Sequence, residues 1–266
     1  MAQRIGNGAL IAMPPEHSWV SMATVRAVIA QGTRDLHLLC VPIGGMAADM
    51  LVGAGCVATL EAAAVSLGET GLAPRFTDAV QTGKITVKDS TCPAVHAGLQ
   101  ASEKGVPFIP LGGLIGSDIA ANRDDWTVVD DPLGKGNGPI MLIPAIKPDF
   151  AIFHSPKADR AGNVWIGKRR ELMTMAHAAR ETLVSVEEIV DTDFLADDVM
   201  AAGTLPNLYI SAVAEARHGA WPLALQGSYD ADRDEIQTYA SAARSADGFD
   251  TYLQRNLSLA RPDAAE

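Results

Sequence analysis

VPIGGMAADMLVGAGCVATLEAAAVSLGETGLAP, residues 41–74, decides how this chain is read. An apolar run ends in the pair Gly44-Gly45, a second glycine cluster follows at Gly53 and Gly55, and a short apolar segment runs to Ser66 and closes on Gly68-Glu69-Thr70-Gly71. A strand that stops at glycines and turns into a helix exposes main-chain amides at its carboxyl end, where α/β sheets bind ligands. Gly44, Gly45 and Gly68 can offer such amides, and Ser66 adds a hydroxyl. Together they suit an acyl oxygen or a carboxylate. The stretch holds no nucleophile paired with its own base, which points to half of an active site, completed by another polypeptide.

Outward from this segment the chain alternates strand and helix signals. Strands are expected over 5–13, 36–41, 56–60, 63–67, 85–88, 140–143, 149–154, 163–166, 182–189 and 208–214. Helices are expected over 18–32, 47–52, 72–81, 93–104, 171–179, 232–244 and 249–257. Alternation of this kind predicts a mainly parallel sheet covered by helices on both faces, a three-layer α/β/α sandwich. The runs at 140–143 and 149–154 are continuously apolar and read as central strands. The Asp-, Asn- and Gly-rich stretch 111–138 reads as a long, partly ordered surface loop over the site. No internal repeat or linker divides the chain, so residues 1–266 are expected to form one domain.

The 266 residues are 48% hydrophobic but only 5% aromatic, so the core rests on Ala, Val, Ile, Leu and Met. A formal net charge of −11 argues against nucleic acid and anionic membrane as partners. Lys168-Arg169-Arg170 is the one basic cluster; it reads first as a solvated turn and second as a site for coenzyme A (CoA) or another phosphate. The opening residues lack the apolar core of a secretory signal, and Cys40, Cys56 and Cys92 read as buried free thiols, so a cytoplasmic protein is expected. The six histidines show no metal-binding spacing; no metal is expected, and His96, His154 and His177 read as structural.

Four strings together resemble one family: GGMAADMLVGAG (44–55), VSLGETGLAP (65–74), DSTCPAVHAGLQASEKGVPFIP (89–110) and ADRAGNVWIG (158–167). They look like the alpha (A) subunit of the family I CoA-transferases, in the glutaconate CoA-transferase-like branch, over about residues 36–239. The resemblance implies the fold shared by these transferases and sugar-phosphate isomerases, and a partner beta subunit in a heterotetramer or larger assembly. It implies CoA thioesters as substrates, no permanently bound cofactor, and a catalytic glutamate on the beta chain rather than here. That glutamate would attack an acyl-CoA and pass through an anhydride to a glutamyl-CoA thioester, handing CoA to a second acid (dicarboxylic or 3-oxo). A carboxylate is already ionised at neutral pH and needs no histidine base.

Alone, Ser66 reads first as a capping or turn serine; the resemblance reverses that and makes it a substrate-contacting serine. Glu69 is expected to orient the Ser66 loop or to pair with Arg75. Asn163, in the turn Asp159–Asn163, either meets a substrate oxygen or fixes the strand entry. Some relatives instead hydrolyse or ring-open a CoA-linked substrate, using a carboxylate just before the helix that begins here at Pro93. Ser90 and Thr91 stand there in this chain, which favours transfer. The competing readings are a non-catalytic binding domain or a hydrolase subunit of the same fold.

Overall fold

The computed structural model describes residues 1–134 and 138–258. From the amino terminus come β1 (Leu10–Met13), α1 (Met22–Ala30), β2 (Leu36–Cys40), β3 (Ile43–Gly44), α2 (Met46–Gly53), β4 (Val57–Ala62) and β5 (Ala64–Val65). Next are α3 (Pro74–Gln81), β6 (Thr86–Asp89), α4 (Cys92–Lys104), β7 (Phe108–Leu111), α5 (Asp118–Ala121), β8 (Thr127–Val129) and β9 (Ile140–Pro144). The last part contains β10 (Phe150–Asp159), β11 (Val164–Trp165), α6 (Arg170–Ala178), β12 (Glu181–Val190), α7 (Asp198–Ala201), β13 (Thr204–Leu205), β14 (Ala212–Glu215), α8 (Arg233–Ala242) and α9 (Ala246–Ser258).

Seven strands pair in parallel in the order β14-β12-β10-β1-β2-β4-β6. The short strands β11 and β13 extend the outer half of β10 as antiparallel partners. The chain lays strands outward from β1 to β6 and then returns to the other side of β1 through β10. The topological switch point therefore lies between β1 and β10, where an open α/β sheet leaves a crevice at its carboxyl edge.

Burial alternates along the strands as a sheet covered on both faces requires. Ile11, Met13, Leu36, Leu38 and Cys40 join α1, α2, α8 and α9 in one core. Ala12, Leu39, Val41, Ala151 and Phe153 join α4 and α6 in the other. The first core reaches from Ile5 to Tyr252, so the carboxyl-terminal helices are built into it. Asp49 ties them down: it is fully buried in α2 and accepts from the Tyr239 hydroxyl (2.6 Å) and the Phe76 amide (2.7 Å). Burial raises the Asp49 carboxyl above its ordinary range, against the pull of those two donors. Among the described residues no helix is long and apolar enough to cross a membrane.

Three expectations are corrected here. The stretch 111–138 is not a loose loop: it contributes α5 and β8, and β8 pairs with β9, which pairs with β7, in a separate three-stranded antiparallel sheet. Residues 135–137 of that stretch lie outside the described residues. For the same reason the 140–143 run is not a central strand of the main sheet. Only Met141 and Ile143 of β9 are buried, against Ala94, Ala97 and Trp126, as befits a sheet covered on one face. Cys40 and Cys56 are buried, but Cys92 is exposed at the start of α4.

The 111–138 segment is held by Arg123, which the sequence pattern did not single out. Its guanidinium ion-pairs with Glu61 at 2.9 Å, with both side chains 3% exposed. It also donates to the Asp89 carbonyl (2.9 Å) and forks onto Asp125 (2.8 and 3.0 Å), while lying 4.5 Å from the Trp126 ring centroid. Burial opposes ionisation of Glu61 and of Asp125, but their partners outweigh it and both carboxyls are lowered.

Candidate functional site

The carboxyl edge of the parallel sheet gathers most of the expected residues. After β2 the chain forms β3, which runs beside β5 with Gly44 opposite Val65, and the Ser66 amide donates to the Gly44 carbonyl at 3.1 Å. Ser66 is exposed, and its hydroxyl accepts from the Gly68 amide at 3.4 Å, a long bond that leaves it available. Gly68 and Glu69 are exposed on the same turn. Among the described residues Glu69 forms no ion pair; Arg75 instead approaches Asp78, at 4.0 Å. The expected Glu69–Arg75 pair is thus not formed, because the adjacent acid on Arg75's own helix takes its place.

Gly44 and Gly45 are packed rather than open on their side-chain face. A Cβ on Gly44 would stand 2.7 Å from the Cys40 sulfur, and one on Gly45 would run into the Glu16 carboxyl. Glu16 leaves the end of β1 and accepts from the Met46 amide, so a carboxylate of the chain itself caps α2. Burial raises the Glu16 carboxyl, and the Met46 amide holds part of that rise back. Asn163 stands apart from this turn. It is 3% exposed, its amide donates to Asp159 (2.7 Å), and its oxygen accepts from the Asn207 amide (2.8 Å).

The segment Pro14–Trp19 crosses the switch point and joins the Ser66 half to a second half. Ser18 donates to Glu171 at the start of α6, and the His154 amide donates to the Trp19 carbonyl at 2.7 Å. His154 is fully buried. Its Nε2 meets Glu187 (2.8 Å), and its Nδ1 meets Ser185 (2.7 Å), which meets Ser21 (2.7 Å). Glu187 can only accept, so the proton sits on Nε2. Glu187 also accepts from the Tyr229 hydroxyl (2.8 Å) and the His218 amide (2.7 Å). Burial alone would raise its carboxyl, but these donors and His154 bring it down to about 2.

A testable consequence follows. The folded chain favours ionised Glu187, so this group stabilises the fold at neutral pH, and that contribution fades as pH falls from about 4.5 to about 2. Urea midpoints of the wild type are expected to fall more between about pH 5 and pH 3 than those of Glu187→Gln. Equal falls would show that Glu187 is not the linked group.

His96, half-buried on α4, has its imidazole lowered by burial, with Glu171 opposing. His177 meets Glu103 at 3.2 Å and lies tilted against the Tyr209 ring, with ring centroids 3.9 Å apart. Ser90 is 2% exposed with an unpartnered hydroxyl, and Thr91 caps α4 through the Ala94 amide at 3.4 Å.

The family model described as coenzyme A transferase matches residues 1–216. The chain belongs to the coenzyme A transferase family. The A subunit of glutaconate CoA-transferase from Acidaminococcus fermentans is 28% identical over 256 residues, covering 87% of this chain and 77% of that one. The crystal structure of glutaconate coenzyme A-transferase from that organism superimposes with a TM-score of 0.88 over 96% of this chain and 85% of that one, at 24% identity. The A subunit of 3-oxoadipate CoA-transferase from Pseudomonas knackmussii is 28% identical, covering 95% of this chain and 89% of that one. An uncharacterised protein of Archaeoglobus fulgidus is 32% identical over 247 residues; this chain spans 53% of its length.

Within this CoA-transferase family member, the glycine turn and Ser66 were legible from the sequence as candidates at the sheet's carboxyl edge. The switch-point half, with Trp19, His154, Arg169 and Glu187, was not. Its one sequence signal is the basic triplet 168–170, which adjoins this half of the edge.

Proposed function

We propose that this chain is the alpha subunit of a heteromeric CoA-transferase that moves CoA between an acyl-CoA and a free carboxylic acid of the dicarboxylic or 3-oxo class. The observation that carries the proposal is the family match over residues 1–216, joined to similarity along most of the length of the corresponding subunits of two transferases. The geometry supports it. Ser66 and the Gly68 amide stand at the exposed carboxyl edge, where a substrate oxygen can accept from them. The reactive carboxylate belongs to a beta chain. It attacks the thioester carbonyl and expels CoA thiolate, which attacks the resulting anhydride to give glutamyl-CoA and free acid. The incoming carboxylate reverses both steps, and no water is consumed. Electrophilic stabilisation of each tetrahedral oxyanion is the share proposed for this chain.

The experiment is to co-purify the chain with its beta partner and to supply acyl-CoA with an isotopically labelled acceptor acid. Label is expected in the acyl-CoA pool only when both polypeptides are present, and borohydride added during turnover is expected to modify a beta-chain glutamate. Exchange by this polypeptide on its own, borohydride trapping at Glu69, or acyl release to water without acceptor would each overturn the assignment.

A further inference from the structure

Gly45 stands at the N-cap of α2 and offers no side-chain acceptor to the first turn. The Met46 amide is met instead by the Glu16 carboxylate, from 30 positions earlier in the chain. A Ser, Asn or Asp at the N-cap itself would satisfy such an amide locally. The arrangement found here is less favourable. Burial sets the Glu16 carboxyl against ionisation, Asp49 in the same helix adds repulsion, and Glu16 forms no ion pair among the described residues. A carboxylate withdrawn from water without a cation works against folding, and the helix N-terminus offsets only part of that. Departures of this kind from the most stable solution gather at functional sites.

What Glu16 holds is the turn from which Ser66 hangs. Its carboxyl fills the space that a Cβ on Gly45 would need, so Gly45 is fixed by packing as well as by the bond to its neighbour Met46. Gly44, next along, lies opposite Val65, and its carbonyl accepts from the Ser66 amide at 3.1 Å. The Pro42 carbonyl accepts from the Ala63 amide at 2.8 Å. β3 and β5 form a two-stranded pair of their own, outside the main sheet, so the long ladder of the parallel strands does not set their register. Beyond Val65 the chain is open to solvent at Ser66, Gly68 and Glu69. A displacement of Gly45 and Met46 therefore passes to Gly44, and through its carbonyl to Ser66.

We propose that Glu16 is a positioning residue for the reaction, holding the turn Gly44–Met46 and, through it, the Ser66 hydroxyl where a substrate oxygen is met. The assignment rests on the transferase reading above and adds to it a residue from outside the glycine-rich stretch. Glu16 touches no substrate in this role, because its carboxylate is engaged by the Met46 amide. Donors to a developing oxyanion have to be held to within about 0.5 Å of the productive geometry. An exposed serine on a short, separate strand pair depends on its neighbours for that precision.

The test compares Glu16→Ala and Glu16→Gln in the full chain, each in complex with the beta subunit. Glu16→Ala is expected to lower kcat for CoA exchange roughly 10- to 100-fold while KM for acyl-CoA stays within about threefold. Its urea midpoint is expected not to fall, because removing a carboxylate without a cation offsets the lost cap. Glu16→Gln keeps the shape and an accepting oxygen, and is expected to hold kcat within about threefold of the wild type. Gly45→Ala drives its new methyl into the Glu16 carboxyl and is expected to lose kcat as Glu16→Ala does. The pair combined is expected to lose no more than either alone. An unimpaired Glu16→Ala, a Glu16→Gln as impaired as Glu16→Ala, or additive losses in the double variant would overturn the proposal. So would a loss of rate matched by a lowered urea midpoint, the mark of an ordinary cap. If the wild-type complex exchanges CoA with no acceptor, the transferase reading fails, and amide hydrogen exchange decides the role of Glu16 separately. Exchange at the Ser66 amide roughly tenfold faster in Glu16→Ala, but not in Glu16→Gln, upholds the link to the turn, and unchanged exchange breaks it.

Discussion

Arg123→Met is expected to cost about 3–5 kcal/mol of folding stability, the effect of stripping one partner from a buried ion pair. Glu61 would keep its charge at 3% exposure, with His37, at 3.4 Å, and the field of Lys88 left to face it. The same substitution frees the Asp89 carbonyl and Asp125 from their guanidinium donor. Urea unfolding of the variant measures the loss. Adding Glu61→Gln to Arg123→Met is expected to return most of it, because the uncompensated charge then disappears. A loss below about 1 kcal/mol in the single variant would mean that the pair is solvated and does not anchor residues 111–134 to the sheet.

Ser66→Ala is expected to lower kcat/KM for the acyl substrate roughly 10- to 150-fold, the value of one hydrogen bond to a charged or developing-charge oxygen. Folding should be untouched. Ser66 is exposed, and its hydroxyl makes only a 3.4 Å contact with the Gly68 amide. Measured in the complex with its beta subunit, unchanged kinetics would remove Ser66 from the site. A lowered urea midpoint would recast it as a turn residue.

The layers of the fold were legible because each central strand carries its own evidence. Leu36–Cys40 is a largely apolar run bounded by turn residues, Glu181–Val190 is rich in β-branched residues, and the helix after Thr91 announces itself by proline at its start and Gly105 at its end. What failed depended on contacts distant in sequence. The 111–138 stretch has the composition of a loop, yet Arg123 pairs with Glu61, 62 positions earlier, and nothing local signals it. The 140–143 run looked central because its residues are all apolar; only the alternation of burial along β9 reveals a sheet with one covered face. The site divided in the same way. Gly44, Gly45 and Ser66 lie within one continuous segment and could be read together. Trp19, His154, Arg169 and Glu187 come from four separate stretches of the chain, and contacts distant in sequence join them: His154 bonds the Trp19 carbonyl and Glu187, and Arg169 lies over the Trp19 ring.

The reach of α8 and α9 into the first core has a practical corollary for anyone cutting or grafting this gene. The family match stops at residue 216, but the folding unit does not. A product trimmed at that boundary would retain Asp49 without the Tyr239 hydroxyl, and would bare the flank of α2 where Phe249 lies against Gly53. Chimaeras with relatives therefore have to transplant the tail helices together with α2, or the seam will open into solvent.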